Sequence, residues 1–215
     1  MTLSAKGTRL NRRGLETRAH ILDVAIDLLA AGGHEVVSAN LIARAAGVTW
    51  GTIQHQFGDT DGVWAAVLDC AAVRTDAGFR AATADGASIE RRVRSIVDAM
   101  WDAYDEPTVL AVNRLRAMLP HDPDVLAAQL PTTNAALLRW EDAWNRSWEE
   151  LFRGLVRSPV KLRRVRSLLP GAVRGLRADS RLTTFEDVDE GRRGLIDAVT
   201  LYLQTPTVRS TSSVG

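Results

Sequence analysis

Apolar residues along this chain recur at three- and four-residue intervals, and no segment alternates with the period of two that marks a half-buried strand. The pattern predicts an all-α protein without internal repeats. Residues 15–31 form a first helix, whose stripe of Ile21, Leu22, Ala25, Ile26, Leu28 and Leu29 is stopped by Gly32-Gly33. Residues 38–57 read as two short helices. Asp59 or Thr60 then caps a long helix over about 60–82, with Val63, Trp64, Val67, Leu68, Ala71 and Ala72 on its seam, and Ala84-Asp85-Gly86 breaks it. Ser88 opens the next helix, which carries Ile89, Val93, Ile96, Val97, Met100, Trp101 and Tyr104 on its apolar side. Asp105-Glu106-Pro107 is a helix-start signature. Val109, Leu110, Val112, Leu115, Met118 and Leu119 follow it, up to the His121-Asp122-Pro123 turn.

The remaining elements continue the same period. Residues 124–130 make a short helical piece ending at Pro131, and Thr133 or Asn134 caps a long helix reaching about Val156. Ser158-Pro159 starts a helix over 160–177, seamed by Leu162, Val165, Leu169, Val173 and Leu176. Pro170-Gly171 inside it predicts a kink or two pieces, because an interior proline removes a hydrogen bond at a cost of about 3 kcal/mol. Thr184 with Asp187, or Thr183 with Glu186, resembles a capping box for a last helix over about 185–204, seamed by Val188, Leu195, Ile196, Val199 and Tyr202. Pro206 and the Ser/Thr tail after it are expected to be disordered.

The stretch Ser38–Phe57 gives this series of helices a use. Ser38 can cap a helix carrying Leu41, Ile42, Ala45 and Ala46, with Ala43 small enough for a neighbour to lie close. Gly47 stands where a sharply turning chain needs positive φ. After Val48, Thr49 can cap a second helix through Gly51, Ile53 and Gln54 to Phe57. Two short helices joined by a tight turn around an Ala/Ile/Val seam describe a helix-turn-helix. Thr49, Trp50, Thr52 and His55 point away from the Val48/Ile53 seam and are the side chains to meet base edges in a major groove. Trp50 has no packing reason to be there, and its indole suits a thymine methyl.

The ordered set Thr17-Arg18, Ile21-Leu22, Ala25, Leu28-Leu29, Gly32-Gly33, Ser38, Ile42-Ala43, Ala46-Gly47-Val48-Thr49, Gly51-Thr52-Ile53 and Phe57-Gly58 resembles the N-terminal domain of the TetR family of transcriptional repressors. The resemblance covers about fifty residues. It implies a helix-turn-helix DNA-binding domain over 15–58, a basic flexible arm at 1–14, a helical ligand-binding and dimerisation domain over 59–205, and a tail at 206–215. Ser38, Asn40, Gln54 and Thr60 complete the expected DNA-contacting set. Three positions depart from the family: Gln54 stands where tyrosine is usual, Gln56 where histidine is frequent, and Thr60 where lysine is usual. Gln54 and Thr60 can donate to phosphate without contributing charge, so the salt-dependent part of binding should be smaller.

Composition narrows the picture further. A net charge of +1 over 215 residues does not by itself indicate nucleic acid, but residues 1–18 carry Lys6, Arg9, Arg12, Arg13 and Arg18 against Glu16 alone. Such an arm is either a disordered, solvated tail or, next to a helix-turn-helix, a segment that lies along a DNA backbone or enters a minor groove. Cys70 is the one cysteine, so no intrachain disulfide can form; its apolar surroundings suggest a buried structural thiol in a reducing compartment. The polar N-terminus and the lack of a long apolar run predict a cytoplasmic protein with no membrane partner.

Catalysis has little support. His20, His34, His55 and His121 lie in different elements without metal-ligand spacing, and no nucleophile or phosphate-binding motif is present, so neither a metal nor a cofactor is expected. The aromatics are more informative: Trp101 and Tyr104 on one helix, and Trp140, Trp144, Trp148 and Phe152 at i+4 spacing on another, either form core or line a cavity. The resemblance favours a pocket for an apolar or aromatic effector, with Trp101, Tyr104, Met118, Trp140 and Trp144 as lining and Asn113, Arg114, Arg116 and His121 as candidate anchors. The seams of the last two helices are too apolar for a monomer's surface. Leu162, Val165, Leu169, Val173, Leu176, Leu195, Val199 and Tyr202 are therefore expected at a homodimer interface, which in the family is a four-helix contact. Between Leu151 and Arg181 nine basic residues face one acid, and Glu186, Asp187, Asp189 and Glu190 would complement them across that helix pair. The expected function is a ligand-responsive repressor, dimeric on a palindromic double-stranded DNA operator. A helical small-molecule-binding protein without DNA binding is the alternative, and a small helical enzyme a third.

Overall fold

The computed structural model describes residues 4–32, 37–83, 88–180 and 187–206, and among these it is helical with no strand. The helices are α1 (Arg12–Ala31), α2 (Ala39–Ala45), α3 (Trp50–Phe57), α4 (Thr60–Thr83), α5 (Ile89–Asp102), α6 (Pro107–Met118), α7 (Pro123–Gln129), α8 (Pro131–Leu151), α9 (Pro159–Asp179) and α10 (Val188–Gln204). A 3-10 turn, Ala103–Asp105, follows α5. Local chemistry sets most of the starts. The side chains of Ser38, Thr49, Ser88, Asp122 and Ser158 each accept from a first-turn N–H of the helix behind them. Asp59, not Thr60, caps α4, its carboxylate accepting from Gly62 N at 3.0 Å.

Three boundaries differ from the sequence pattern. α1 begins at Arg12, because Asn11 accepts from Gly14 N and starts the helix earlier than its apolar stripe does. α8 begins at Pro131, so Thr133 and Asn134 lie inside it; its first-turn donors are satisfied from elsewhere in the chain, by Asp61. α9 is a single helix with Pro170 inside it, not two pieces. Leu162 and Val165 are buried before the proline and Leu169 and Val173 around it. Each contributes about 1.5–3 kcal/mol of burial, enough together to outweigh one missing hydrogen bond. Asp187 caps α10. The capping-box residues Thr183, Thr184 and Glu186, the break at 84–86, His34, and the tail beyond Pro206 lie outside the described residues.

The chain divides into two compact units: residues 1–76 with 105–143, and residues 77–104 with 144–215. The expected division at residue 58 does not coincide with them, since the head shares its core with later helices. In the first unit one apolar cluster joins Ile21, Ala25 and Leu29 of α1, Ile42 of α2, Ile53 and Phe57 of α3, Val63, Val67 and Leu68 of α4, and Ala111, Val112 and Leu115 of α6. Cys70 is half-buried against it. α1 lies along α6, and Arg114 of α6 donates to the carbonyls of Leu29 and Ala30 at the C-terminal end of α1.

In the second unit Val93, Ile96 and Val97 of α5, Trp148, Leu151 and Phe152 beside them, Leu162, Val165, Leu169 and Val173 of α9, and Ile196, Val199 and Leu203 of α10 form a separate core. Trp148 is fully buried, stacked on Phe152 with ring centroids 5.6 Å apart. Lys161, at the start of α9, donates to the carbonyls of Tyr202 and Thr205 and so caps the C-terminal end of α10. Among the described residues no helix is long and apolar enough to cross a membrane.

Candidate nucleic-acid interface

α2 and α3 form the helix-turn-helix. Gly47 sits between them at φ 64, Val48 N donates to the Ala43 carbonyl at 2.9 Å, and His20 of α1 donates from Nε2 to the Ala46 carbonyl at 3.2 Å. The pair is therefore fastened to α1 at the turn itself. The far end of α3 is fastened as firmly. Arg18 donates to the Gln56 carbonyl and stacks over the Phe57 ring, 4.1 Å from its centroid. Burial pulls the Arg18 guanidinium below its ordinary pKa, opposed by the charge of Asp69. The Gln56 side chain is buried and donates to the Gly14 carbonyl at 3.2 Å, so this departure from the family faces α1.

What is left outward is the face that sequence periodicity singles out. Thr49, Trp50, Gln54 and His55 are exposed, Trp50 to 41% in spite of its size. Thr52 is half-buried, and its hydroxyl lies 3.0 Å from that of Thr49, which also accepts from Thr52 N at 3.2 Å. On α2 Asn40 is exposed, while Ser38 is half-buried and spends its hydroxyl on the N–H of Leu41. Thr60 is half-buried at the start of α4.

Two more cations stand on this surface, Arg44, which the sequence pattern did not single out, and Lys6 of the basic arm. Arg44 is exposed on α2. Lys6 is exposed in the segment expected as a flexible arm, which instead carries a turn: Ser4 N donates to the Thr8 carbonyl at 2.8 Å and Gly7 N to the Ser4 carbonyl at 2.9 Å. Ala5 N donates to the His55 carbonyl at 3.1 Å, seating the turn on α3. No local signal predicts a contact between residues fifty apart.

The side chains expected around an effector fall in both units. In the first, the Arg114 guanidinium is committed to α1, Met118 and His121 are exposed, and Trp140 packs against the core. In the second, Trp101, Tyr104 and Trp144 are half-buried. Arg177 lies 5.0 Å from the Trp101 ring and 5.8 Å from that of Tyr104, Arg192 stands 5.2 Å from Trp101, and Trp144 meets Trp148 edge-on at 5.9 Å.

The expected dimer residues require correction. Leu162, Val165, Leu169, Val173 and Val199 are buried within one chain, because α5 and α8 supply the apolar partners that the seams need. Leu176, Leu195 and Tyr202 are half-buried, and the Tyr202 hydroxyl accepts from Arg164 at 3.2 Å. Solvent meets the opposite faces instead. On α9 these carry Val160, Leu168, Gly171 and Gly175, and on α10 Gly194, Ala198 and Leu201, with Leu168 exposed to 60% and Leu201 to 67%. The acids at the start of α10 pair along their own helix: Arg193 reaches Glu190 at 2.5 Å and Asp187 at 3.7 Å, and Arg192 reaches Asp189 at 3.5 Å.

Comparison with known proteins agrees with this geometry. Residues 21–67 match the model of the bacterial regulatory proteins of the tetR family. No curated protein matches the chain significantly. Among solved structures, GusR of Salmonella enterica superposes with a TM-score of 0.67 at 20% identity, over 91% of this chain and 99% of that one. NalD of Pseudomonas aeruginosa, the secondary repressor of the MexAB-OprM multidrug efflux pump, gives 0.61 at 19%, over 90% and 98%. The fatty acid degradation regulator FadR of Bacillus halodurans gives 0.61 at 16%, over 90% and 97%. At these identities the likeness is one of fold.

Proposed function

We propose that this chain, whose residues 21–67 match the model of the bacterial regulatory proteins of the tetR family, is a transcriptional regulator of that kind: a ligand-responsive repressor, dimeric on a palindromic operator. The observation that carries this reading is the outward face of α3. A large apolar ring, two threonine hydroxyls and an imidazole stand on a helix whose other face and far end are held by α1. Such a helix presents side chains to a major groove without first having to order itself. NalD, which shares the fold, is a repressor.

A homodimer sets two heads on two half-sites. Its proposed interface is the exposed face of α9 and α10, where Leu168 and Leu201 flank glycines; a Cβ on Gly175 or Gly194 would meet nothing in one chain, leaving room for a partner helix. The proposed effector is a small apolar or aromatic molecule, with the half-buried Trp101, Tyr104 and Trp144 of the second unit as its recognition groups. It relieves repression only through greater affinity for the DNA-incompetent state, so DNA weakens effector binding by the same factor.

A mobility-shift assay on the DNA upstream of the protein's own gene, with unlabelled competitor, tests the reading. A competitor-resistant complex is expected. Failure to retard this DNA or any other duplex at low salt would leave the helical binding protein without DNA contact as the better description.

A further inference from the structure

We infer that the turn Ser4–Thr8 is a built part of the DNA-binding surface, placing Lys6 against a phosphate at the groove wall; this rests on the DNA-binding reading above. α3 is eight residues long, about 12 Å at 1.5 Å per residue, roughly the width of a major groove. With Thr49 and Trp50 at the bases, its C-terminal end arrives at the sugar-phosphate backbone. The exposed side chains of α3 at that end, Gln54 and His55, offer no permanent charge, and neither does Thr60 at the start of α4. Arg18, at the same end, is half-buried with its guanidinium on the Gln56 carbonyl and the Phe57 ring. Phosphate neutralisation supplies most of the sequence-independent affinity of a DNA-binding protein, so a surface without an outward cation there is incomplete.

The turn is seated at that end. Ala5 N donates to the His55 carbonyl, and a Cβ built on Gly58, the residue that ends α3, would lie 3.6 Å from the Cβ of Ala5. Lys6 is the next residue and is exposed. The turn holds its own shape: Thr8 N donates to the Ser4 hydroxyl at 3.1 Å, the Ser4 side chain is buried, and Gly7 takes φ 76. Of the other basic residues before α1 or in its first turn, Arg12 is paired with Glu16 at 2.9 Å, and Arg9 and Arg13 are exposed; Lys6 is the one that directly follows Ala5, the residue tied to the end of α3. A cation from the segment before α1 thus stands where the recognition helix and the start of α4 have none.

The test is the salt dependence of binding to a fluorescein-labelled 30-base-pair duplex of mixed sequence, read by anisotropy with the full-length protein. Lys6→Gln should lower the slope of log K against log salt by about 0.9 for each head on the duplex, and Lys6→Arg should keep the wild-type slope. Gly7→Val retains the lysine but forces a β-branched residue into positive φ, unseating the turn, and its slope should also fall. A Lys6→Gln slope equal to wild type overturns the inference. So does a Gly7→Val protein with the wild-type slope, since Lys6 would then act from a loose tail. Absence of salt-dependent binding by the wild type would overturn the DNA-binding reading as well. Circular dichroism melts on each variant separate these outcomes from loss of fold.

Discussion

The guanidinium of Arg114 fills the space that a side chain on Gly32 would need. It donates to the carbonyl of Leu29 at 2.9 Å, and a Cβ built on Gly32 would overlap Arg114 Nη1. Gly32 is also the left-handed cap of α1, at φ 62. One residue of α6 therefore closes the helix that carries the head, and only a glycine leaves room for it.

Arg114→Ala should lower stability by about 1.5–3 kcal/mol, the worth of charge-assisted hydrogen bonds to buried carbonyls. Gly32→Ala should be destabilising for two reasons, positive φ and the clash with Arg114. In the Arg114→Ala background the clash is gone, so thermal melts should show a smaller penalty for Gly32→Ala there. Equal penalties in the two backgrounds would separate the two residues energetically.

Asp61 gives the stability a pH dependence. Its buried carboxylate accepts from Thr132 N and Thr133 N, both at 2.8 Å, and caps α8 from α4. Burial pushes its pKa up, and the hydrogen bonds from Thr133 and Thr132 together overcome this and bring it below the ordinary carboxylate value. A group depressed in the folded state stabilises above the unfolded pKa of about 3.9, and that contribution is lost as pH falls through the lower folded pKa. Wild type should therefore lose stability in that acid window. Asp61→Asn should be less stable at neutral pH and show a flatter profile below about pH 4 in urea titrations.

Trp50→Ala should leave the melting temperature near wild type, because the indole is substantially exposed, and weaken operator binding by about 1–3 kcal/mol. Binding to a mixed-sequence duplex should change little. An equal loss on both DNAs would assign the ring to the backbone instead of a base.

If the proposed dimer forms through the exposed faces of α9 and α10, the wild type should sediment as a dimer at micromolar concentration and Leu168→Glu with Leu201→Glu as a folded monomer, since charges replace the exposed apolar side chains. Leu169→Glu, by contrast, should unfold the second unit, because Leu169 is buried in its core.

Addition of an aromatic effector should quench or shift tryptophan emission, and Trp144→Phe should remove a defined part of that change. A Trp144→Ala or Trp101→Ala protein that releases DNA at the wild-type effector concentration would put the binding site elsewhere.

The helices, their order, the caps at Ser38, Thr49, Ser88 and Ser158 and the helix-turn-helix were legible in the sequence, because each depends on neighbours three or four residues away. Ser38, Gly47 and Thr49 act on groups within their own turn, so their roles could be read without a fold. The outward set on α3 was legible for the same reason: once Ile53 is inside, helical geometry leaves Trp50 and His55 outside. The tertiary structure alone decided matters that depend on distant partners. Asp61 caps a helix seventy residues away, Arg114 closes α1, and Ala5 reaches His55, where no local period carries a signal. The seams of α9 and α10 show the limit most plainly. Periodicity identified Leu162, Val165, Leu169 and Val173 as a face that must be covered, but a stripe on one helix does not say which surface covers it. Here α5 and α8 of the same chain do so, and the exposed leucines, Leu168 and Leu201, stand on the other side.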